Sequence, residues 1–240
     1  FSKVNYVFMA LNESDATPEM QALAEKLSPM ITAHSDEVYM NLALFNRIKA
    51  VHDNADQLGL TPVQRRLTEK YYKRFVRNGA LLSAADQDTL KSINTRLAAL
   101  QLSFVNNVMS EIANNYVVVD NADRLSGLPK NTIDAAAKLA ADKGMAGKWV
   151  FTPSASTRLA VLTSADDRSL REEMYKTYMA TANRGNEFDN SKNINAILKL
   201  RQQKAKLLGF KTFADYAIDP VMAKTVDAAE NLLLSIWKPA

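Results

Sequence analysis

Three observations predict an all-α fold for this 240-residue chain. Glycine and proline occur only seven times each, and they fall between long segments. Within those segments apolar residues recur every three or four positions, the period of one helix face. Helix start and stop signals stand where the segments begin and end. The prediction is a multi-helix lobe containing a long helical hairpin, with short strands at most.

The clearest start is at "LTPVQRRLTEKYYKRFVRNG". Thr61 reads as an N-cap, Pro62 takes the first helical position, and Gln64 stands three residues after the cap, as a capping box requires. The helix should stop at Asn78-Gly79, where glycine can adopt the left-handed conformation. Ser83 then caps a second helix, with Asp86 placed to face its amide dipole. In that helix Leu90, Ile93, Leu97, Leu100, Phe104, Val108 and Ile112 form a stripe suited to helix-on-helix packing over about seven turns. Together these two segments make the predicted hairpin, from Thr61 to about Tyr116.

Further helices are expected at about 18–32, 36–58 with a break, 131–142, 168–182, 190–208 and 225–237. "NNYVVVD" (114–120) and "GKWVFTP" (147–153) are β-branched and aromatic enough for short extended pieces. No internal repeat, low-complexity tract or Pro/Ser-rich linker divides the chain, so residues 1–240 are expected to form one helical lobe. The segment Thr225–Trp237 is apolar around much of its girth and is expected to need covering by another body.

Composition removes several kinds of chemistry. There is no cysteine, which rules out disulfides, thiolate metal sites and cysteine nucleophiles within these residues. No apolar run approaches the roughly 18 residues of a membrane span. Thirty basic residues stand against 26 acidic ones, for a net charge of +4, and the two signs are interleaved. Neither a membrane nor a nucleic acid is indicated as a partner. The chain opens on Phe1 with no readable signal peptide, and a cytoplasmic or periplasmic setting in a bacterium is expected.

The candidate site residues all have ordinary structural roles open to them. On the helix after Thr61, the residues Arg66, Lys70, Lys73, Arg74 and Arg77 cluster on one face, and Val63, Leu67, Tyr71 and Phe75 fall on an adjacent one. Aromatics on the buried stripe and cations outside it describe a scaffold helix with a solvated basic face, since a strand-binding helix needs its rings free to stack. His34 and His52 are the only histidines, and neither lies in an H-E-x-x-H. His52 and Asp56 are spaced to share a helix face, but two histidines 18 residues apart read as surface groups. The acid pairs Asp166-Asp167, Glu172-Glu173 and Asp86/Asp88 are explained by helix capping and by bridging to Lys176. No G-x-S-x-G, Gly-rich phosphate loop or nucleotide fingerprint is present. No catalytic, cofactor-binding or metal residue is therefore assigned.

Seven strings do point to a family. "LSPMITAHSDEVYMNLALFNRIKAV", "LTPVQRRLTEKYYKRFVRNGALLS", "INTRLAALQLSFVNNV", "GLPKNTIDAAAKLA", "GKWVFTP", "LTSADDRSLREEMYKTYMATANRG" and "LKLRQQKAKLLGFKTFADYAID" occur in that order. Together they resemble the N-terminal half of the thimet-oligopeptidase-like zinc metallopeptidases, above all their dipeptidyl carboxypeptidase and oligopeptidase A branches. The resemblance implies one lobe of a helical, two-lobed channel enzyme that cleaves short peptides, releasing C-terminal dipeptides in the first branch. It also implies zinc held by H-E-x-x-H and a downstream glutamate in the C-terminal catalytic half. None of those ligands has a counterpart here, so zinc is expected in the complete enzyme and no metal or catalytic activity in this chain alone. Because the family is built on a longer chain, these residues are expected to be a fragment whose partners are peptide substrates and the catalytic half.

Overall fold

The computed structural model describes residues 2–14, 17–237 and 239. Among them are eleven α-helices: α1 (Ser2–Ser14), α2 (Pro18–Tyr39), α3 (Leu42–Asp53), α4 (Pro62–Arg77), α5 (Ala84–Asn114), α6 (Lys130–Asp142), α7 (Ala155–Ser164), α8 (Arg168–Met179), α9 (Ser191–Leu207), α10 (Phe213–Ile218) and α11 (Val226–Trp237). Two three-residue strands, β1 (Val117–Val119) and β2 (Trp149–Phe151), complete the regular structure with one 3-10 turn at Ala122–Leu125. The chain falls into two compact units. Unit 1 comprises Phe1–Leu102 with Asn195–Ala240, and unit 2 comprises Ser103–Ile194.

Local chemistry fixes many of the boundaries in unit 1. Thr61 caps α4 through a complete capping box, its side chain accepting from the Gln64 amide while the Gln64 side chain accepts from the Thr61 amide. Gly79 turns the chain with φ 95°, and a Cβ there would lie 2.7 Å from Leu90 Cδ2, so both conformation and space call for glycine. The break expected between 32 and 36 falls later. Thr32 bonds back to the Ser28 carbonyl at 2.9 Å, and the helix continues past Pro29 to Tyr39. Asn41 then caps α3 by accepting from the Leu44 amide at 2.9 Å.

Burial in unit 1 centres on aromatic contacts between α3 and α4. Phe45 and Phe75 are buried with ring centroids 6.2 Å apart. Tyr39 meets Phe75 edge-on at 5.2 Å, and Tyr72 stacks on Phe45 at 5.7 Å. From the expected stripe of α5, Leu90, Ile93 and Leu97 are buried. On α4 the expectation fails at three positions: Val63 is 78% exposed, Leu67 54% and Tyr71 46%. The α3 contact falls near the C-terminal end of α4, on Tyr72, Phe75 and Val76, and the face through Val63, Leu67 and Tyr71 is left open.

Unit 2 is built on the antiparallel pair β1 and β2, with Val117 opposite Phe151 and Val119 opposite Trp149. Val117, Val119 and Phe151 form one core with Leu125, Leu128, Ala136, Val161, Leu170 and Met174 from the surrounding turns and helices. Both strands lie where the β-branched and aromatic runs predict extended chain.

Candidate functional site

The residues weighed in the sequence do not converge. His34 on α2 is half exposed and lies 4.0 Å from Glu37. The His52 ring stacks on Tyr72 with centroids 3.9 Å apart, and its Nδ1 is 3.1 Å from Asp53. The His52–Asp56 pair does not form: α3 ends at Asp53, so Asp56 lies beyond the helix and pairs with Arg65. Among the described residues no group of three or more His, Cys, Asp or Glu side chains is arranged to hold a metal ion.

The acid pairs are structural. Asp167 caps α8 by accepting from the Ser169 amide at 2.7 Å. Arg124 donates to Asp167 at 2.6 Å and to Glu173 at 3.0 Å. The Arg124 guanidinium, with help from Ser169, holds the Asp167 carboxyl well below the usual carboxylate range. Asp166 accepts from the Ser126 hydroxyl at 2.7 Å, and Glu172 pairs with Lys176 at 2.6 Å.

Two buried polar clusters were not anticipated. In unit 2 the Glu111 side chain is fully enclosed, and both of its oxygens accept hydrogen bonds. Arg184 Nε lies 2.6 Å from Oε1, Asn115 donates to the same oxygen at 2.6 Å, and Asn186 donates to Oε2 at 3.0 Å. Beside it Asn190 accepts from Asn107 and Asn193 and donates to the Phe104 carbonyl, all at 2.9–3.0 Å. The signal for Glu111 is its register: it sits one helical turn after Val108 and beside Ile112, on the apolar stripe itself.

Unit 1 holds a sparser cluster. Asp36 is 5% exposed and accepts from Asn94 at 2.8 Å through Oδ1, and its Oδ2 has no hydrogen-bond partner among the described residues. Lys204 donates to Asn94 Oδ1 at 2.7 Å. Burial pushes the Asp36 carboxyl up and the Lys204 ammonium down, while each charge partly restores the other.

The open face of α4 borders a groove of 590 Å³ that also involves residues 219–224. Arg66, Lys70, Lys73, Arg74, Arg77 and Lys224 line it, together with Leu67, Tyr71 and Asp219. Arg77 is a bolt across its end rather than a solvated charge. It reaches Asp219 Oδ2 at 2.7 Å and the Tyr216 carbonyl at 2.6 Å, with its guanidinium 4.3 Å from the Tyr216 ring centroid. Glu69 pairs with Arg66 at 2.7 Å and with Lys73 at 2.9 Å. Those two cations hold the Glu69 carboxyl down at about 2. A smaller hollow of 270 Å³ in unit 2 is lined by Asn131, Thr132, Thr152, Ser156 and apolar neighbours, without a titratable side chain.

Comparison with known proteins agrees with the family resemblance in the sequence. The profile of peptidase family M3 matches residues 161–240. Over 239 residues the chain is 32% identical to a dipeptidyl carboxypeptidase of Salmonella typhimurium, covering all of this chain and 35% of that protein. The Escherichia coli dipeptidyl carboxypeptidase is 32% identical over 98% of the chain and 34% of its own length. The oligopeptidase A of Escherichia coli is 28% identical over the whole chain and 35% of its own length. The chain resembles these peptidases throughout, and spans about a third of the length of the relatives it matches.

Proposed function

We propose that the chain is the N-terminal helical portion of a zinc-dependent peptidyl-dipeptidase, which shortens peptides by releasing C-terminal dipeptides. The supporting observation is the similarity to dipeptidyl carboxypeptidases from end to end of the chain, together with the family match over residues 161–240. In this role the helices form one wall of a substrate channel and carry surfaces for the catalytic half. Among the described residues no set of donors fits the zinc: His34 and His52 stand apart in other contacts, and no group of three His, Asp or Glu side chains forms. On this reading these residues bind and position the peptide, and hydrolysis belongs to the segment bearing H-E-x-x-H.

Helix α11 has the character of a surface for that segment. Thr225 caps it, its hydroxyl accepting from the Ala228 amide at 3.2 Å. None of its described residues is buried, and Leu232, Leu233, Ile236 and Trp237 are all more than half exposed. A related endo-acting oligopeptidase is the second reading, favoured by the oligopeptidase A similarity.

The test is to combine the chain with the H-E-x-x-H portion of its parent, then assay zinc content and the products from a blocked and a free-ended peptide. Dipeptide release only from free C-termini, with about one zinc per complex, supports the first reading. Internal cleavage of the blocked peptide supports the second. A complex with neither zinc nor hydrolysis would leave a non-catalytic interaction module.

A further inference from the structure

The cations of the α4 groove divide into two sets. Arg66 and Lys73 share Glu69, and Arg77 is committed to Asp219 and the Tyr216 carbonyl. Lys70 and Lys224 have no ion pair among the described residues. Arg74 is held only by a 3.4 Å contact to the Tyr39 hydroxyl and by its position 6.0 Å from the Tyr71 ring. Three positive charges thus face one groove uncompensated, beside the exposed apolar surfaces of Leu67 and Tyr71. Lys224 adopts φ 64°, a left-handed conformation that side-chain-bearing residues seldom take outside sites where the surroundings enforce it. Its placement on the groove wall is thereby part of the turn that precedes α11.

We propose that this groove binds an acidic peptide segment, seating its carboxylates on Lys70, Arg74 and Lys224 and its apolar side chains on Leu67 and Tyr71. A volume of 590 Å³ suits a short peptide segment and is too small for a folded domain. Separated point charges around an apolar floor match carboxylates on an extended peptide. A nucleic acid would call for a continuous basic track with several free rings, and among the described residues Tyr71 is the one aromatic side chain lining this groove. The choice of a peptide as ligand rests on the peptidase reading above, and the charge requirement rests on the groove alone.

The experiment is fluorescence anisotropy of the 240-residue chain with a labelled hexapeptide rich in Asp and Glu. A glutamine/serine hexapeptide of equal length and an oligonucleotide of equal charge serve as competitors. The expected result is saturable, salt-sensitive binding of the acidic peptide, weakened about tenfold in the Lys70→Gln/Arg74→Gln/Lys224→Gln variant with an unchanged circular dichroism spectrum. Lys224→Gln alone, which touches no helix interior, should weaken it about twofold to threefold. Arg66→Gln/Lys73→Gln should have less effect than the triple variant, because those cations already serve Glu69. Undiminished binding by the triple and single variants, equal binding of the neutral peptide, or stronger binding of the oligonucleotide would each overturn the proposal. No hydrolysis is measured, so loss of this site and loss of the peptidase reading are separate results.

Discussion

Glu111 and Asp36 are both carboxylates removed from water, one in each unit, and their surroundings differ in a way that decides what each does. Glu111 is met by a guanidinium and two amides, so both of its oxygens are bonded and its charge is paired. Asp36 is met by one amide, and its second oxygen has no hydrogen-bond partner among the described residues. A buried charge that is fully hydrogen-bonded locks a geometry, whereas one left half satisfied makes the folded state favour the neutral acid. Glu111 should therefore behave as a structural bolt and Asp36 as a tolerated strain.

The largest expected effect comes from breaking the bolt. Glu111→Ala leaves Arg184, Asn115 and Asn186 without their shared acceptor and should cost about 3 kcal/mol, the low end for a buried pair because Arg184 keeps part of its surface in water. Urea unfolding followed by the fluorescence of Trp149, which is packed against the unit 2 core, reports it directly. A loss below about 1 kcal/mol would mean that water replaces the pair at little cost, and the contrast with Asp36 would disappear.

An apolar yardstick lies on the same helix. Leu97, buried on α5, should cost about 2–5 kcal/mol when changed to alanine. A cost comparable to that of Glu111→Ala would show that α5 depends equally on its stripe and on its one buried acid. Below about 0.5 kcal/mol, the stripe would have to face solvent.

Arg77 offers an intermediate case, a charge mostly covered but not enclosed. Its bonds to Asp219 and to the Tyr216 carbonyl tie the end of α4 to the segment after α9, so Arg77→Gln should cost about 1–3 kcal/mol. Lys70→Gln, on the open face, should change stability by less than about 0.5 kcal/mol. Equal effects at the two positions would restore the view of a uniformly solvated basic face.

These contrasts also show which parts of the molecule are legible in the sequence. The Thr61 capping box, the Gly79 turn and the two extended runs are readable because each depends on residues within about four positions of one another. Periodicity marks Val63, Leu67, Tyr71 and Phe75 as one stripe, but which part of it is buried depends on where α3, a separate element, packs. The short α10, with six residues, leaves too little period to detect. Glu111 is visible as a charge out of place on a stripe, but Arg184 and Asn186, its partners far along the chain, are not. The groove combines both limits. Its cations are plain in the sequence, and the segment 219–224 that turns a basic face into a concave one is not.

A small effect, at Asp36, is the one that separates the two carboxylates most clearly. Burial raises the pKa of Asp36 above its ordinary 3.8, and the facing groups that oppose the rise are Asn94, Lys204 and Lys91. A group whose folded pKa is raised contributes stability that is fully present below its unfolded pKa and is lost as pH climbs through the folded value. Wild-type protein should thus lose the Asp36 contribution between about pH 4 and the raised pKa, whereas the amide introduced by Asp36→Asn cannot ionise. Asp36→Asn should then stay within about 1 kcal/mol of wild type at pH 7, neutral or stabilising, and be less favourable relative to wild type at about pH 4. Lys204 tempers the gain, since its own pKa, already lowered by burial, loses the support of a neighbouring carboxylate. Urea midpoints of both proteins at the two pH values decide the matter. If the difference between them is the same at both, Asp36 titrates as an ordinary surface acid and its open oxygen is solvated. If Asp36→Asn instead destabilises at neutral pH as strongly as Glu111→Ala, the bond to Asn94 and the charge of Lys204 outweigh burial, and both carboxylates are bolts.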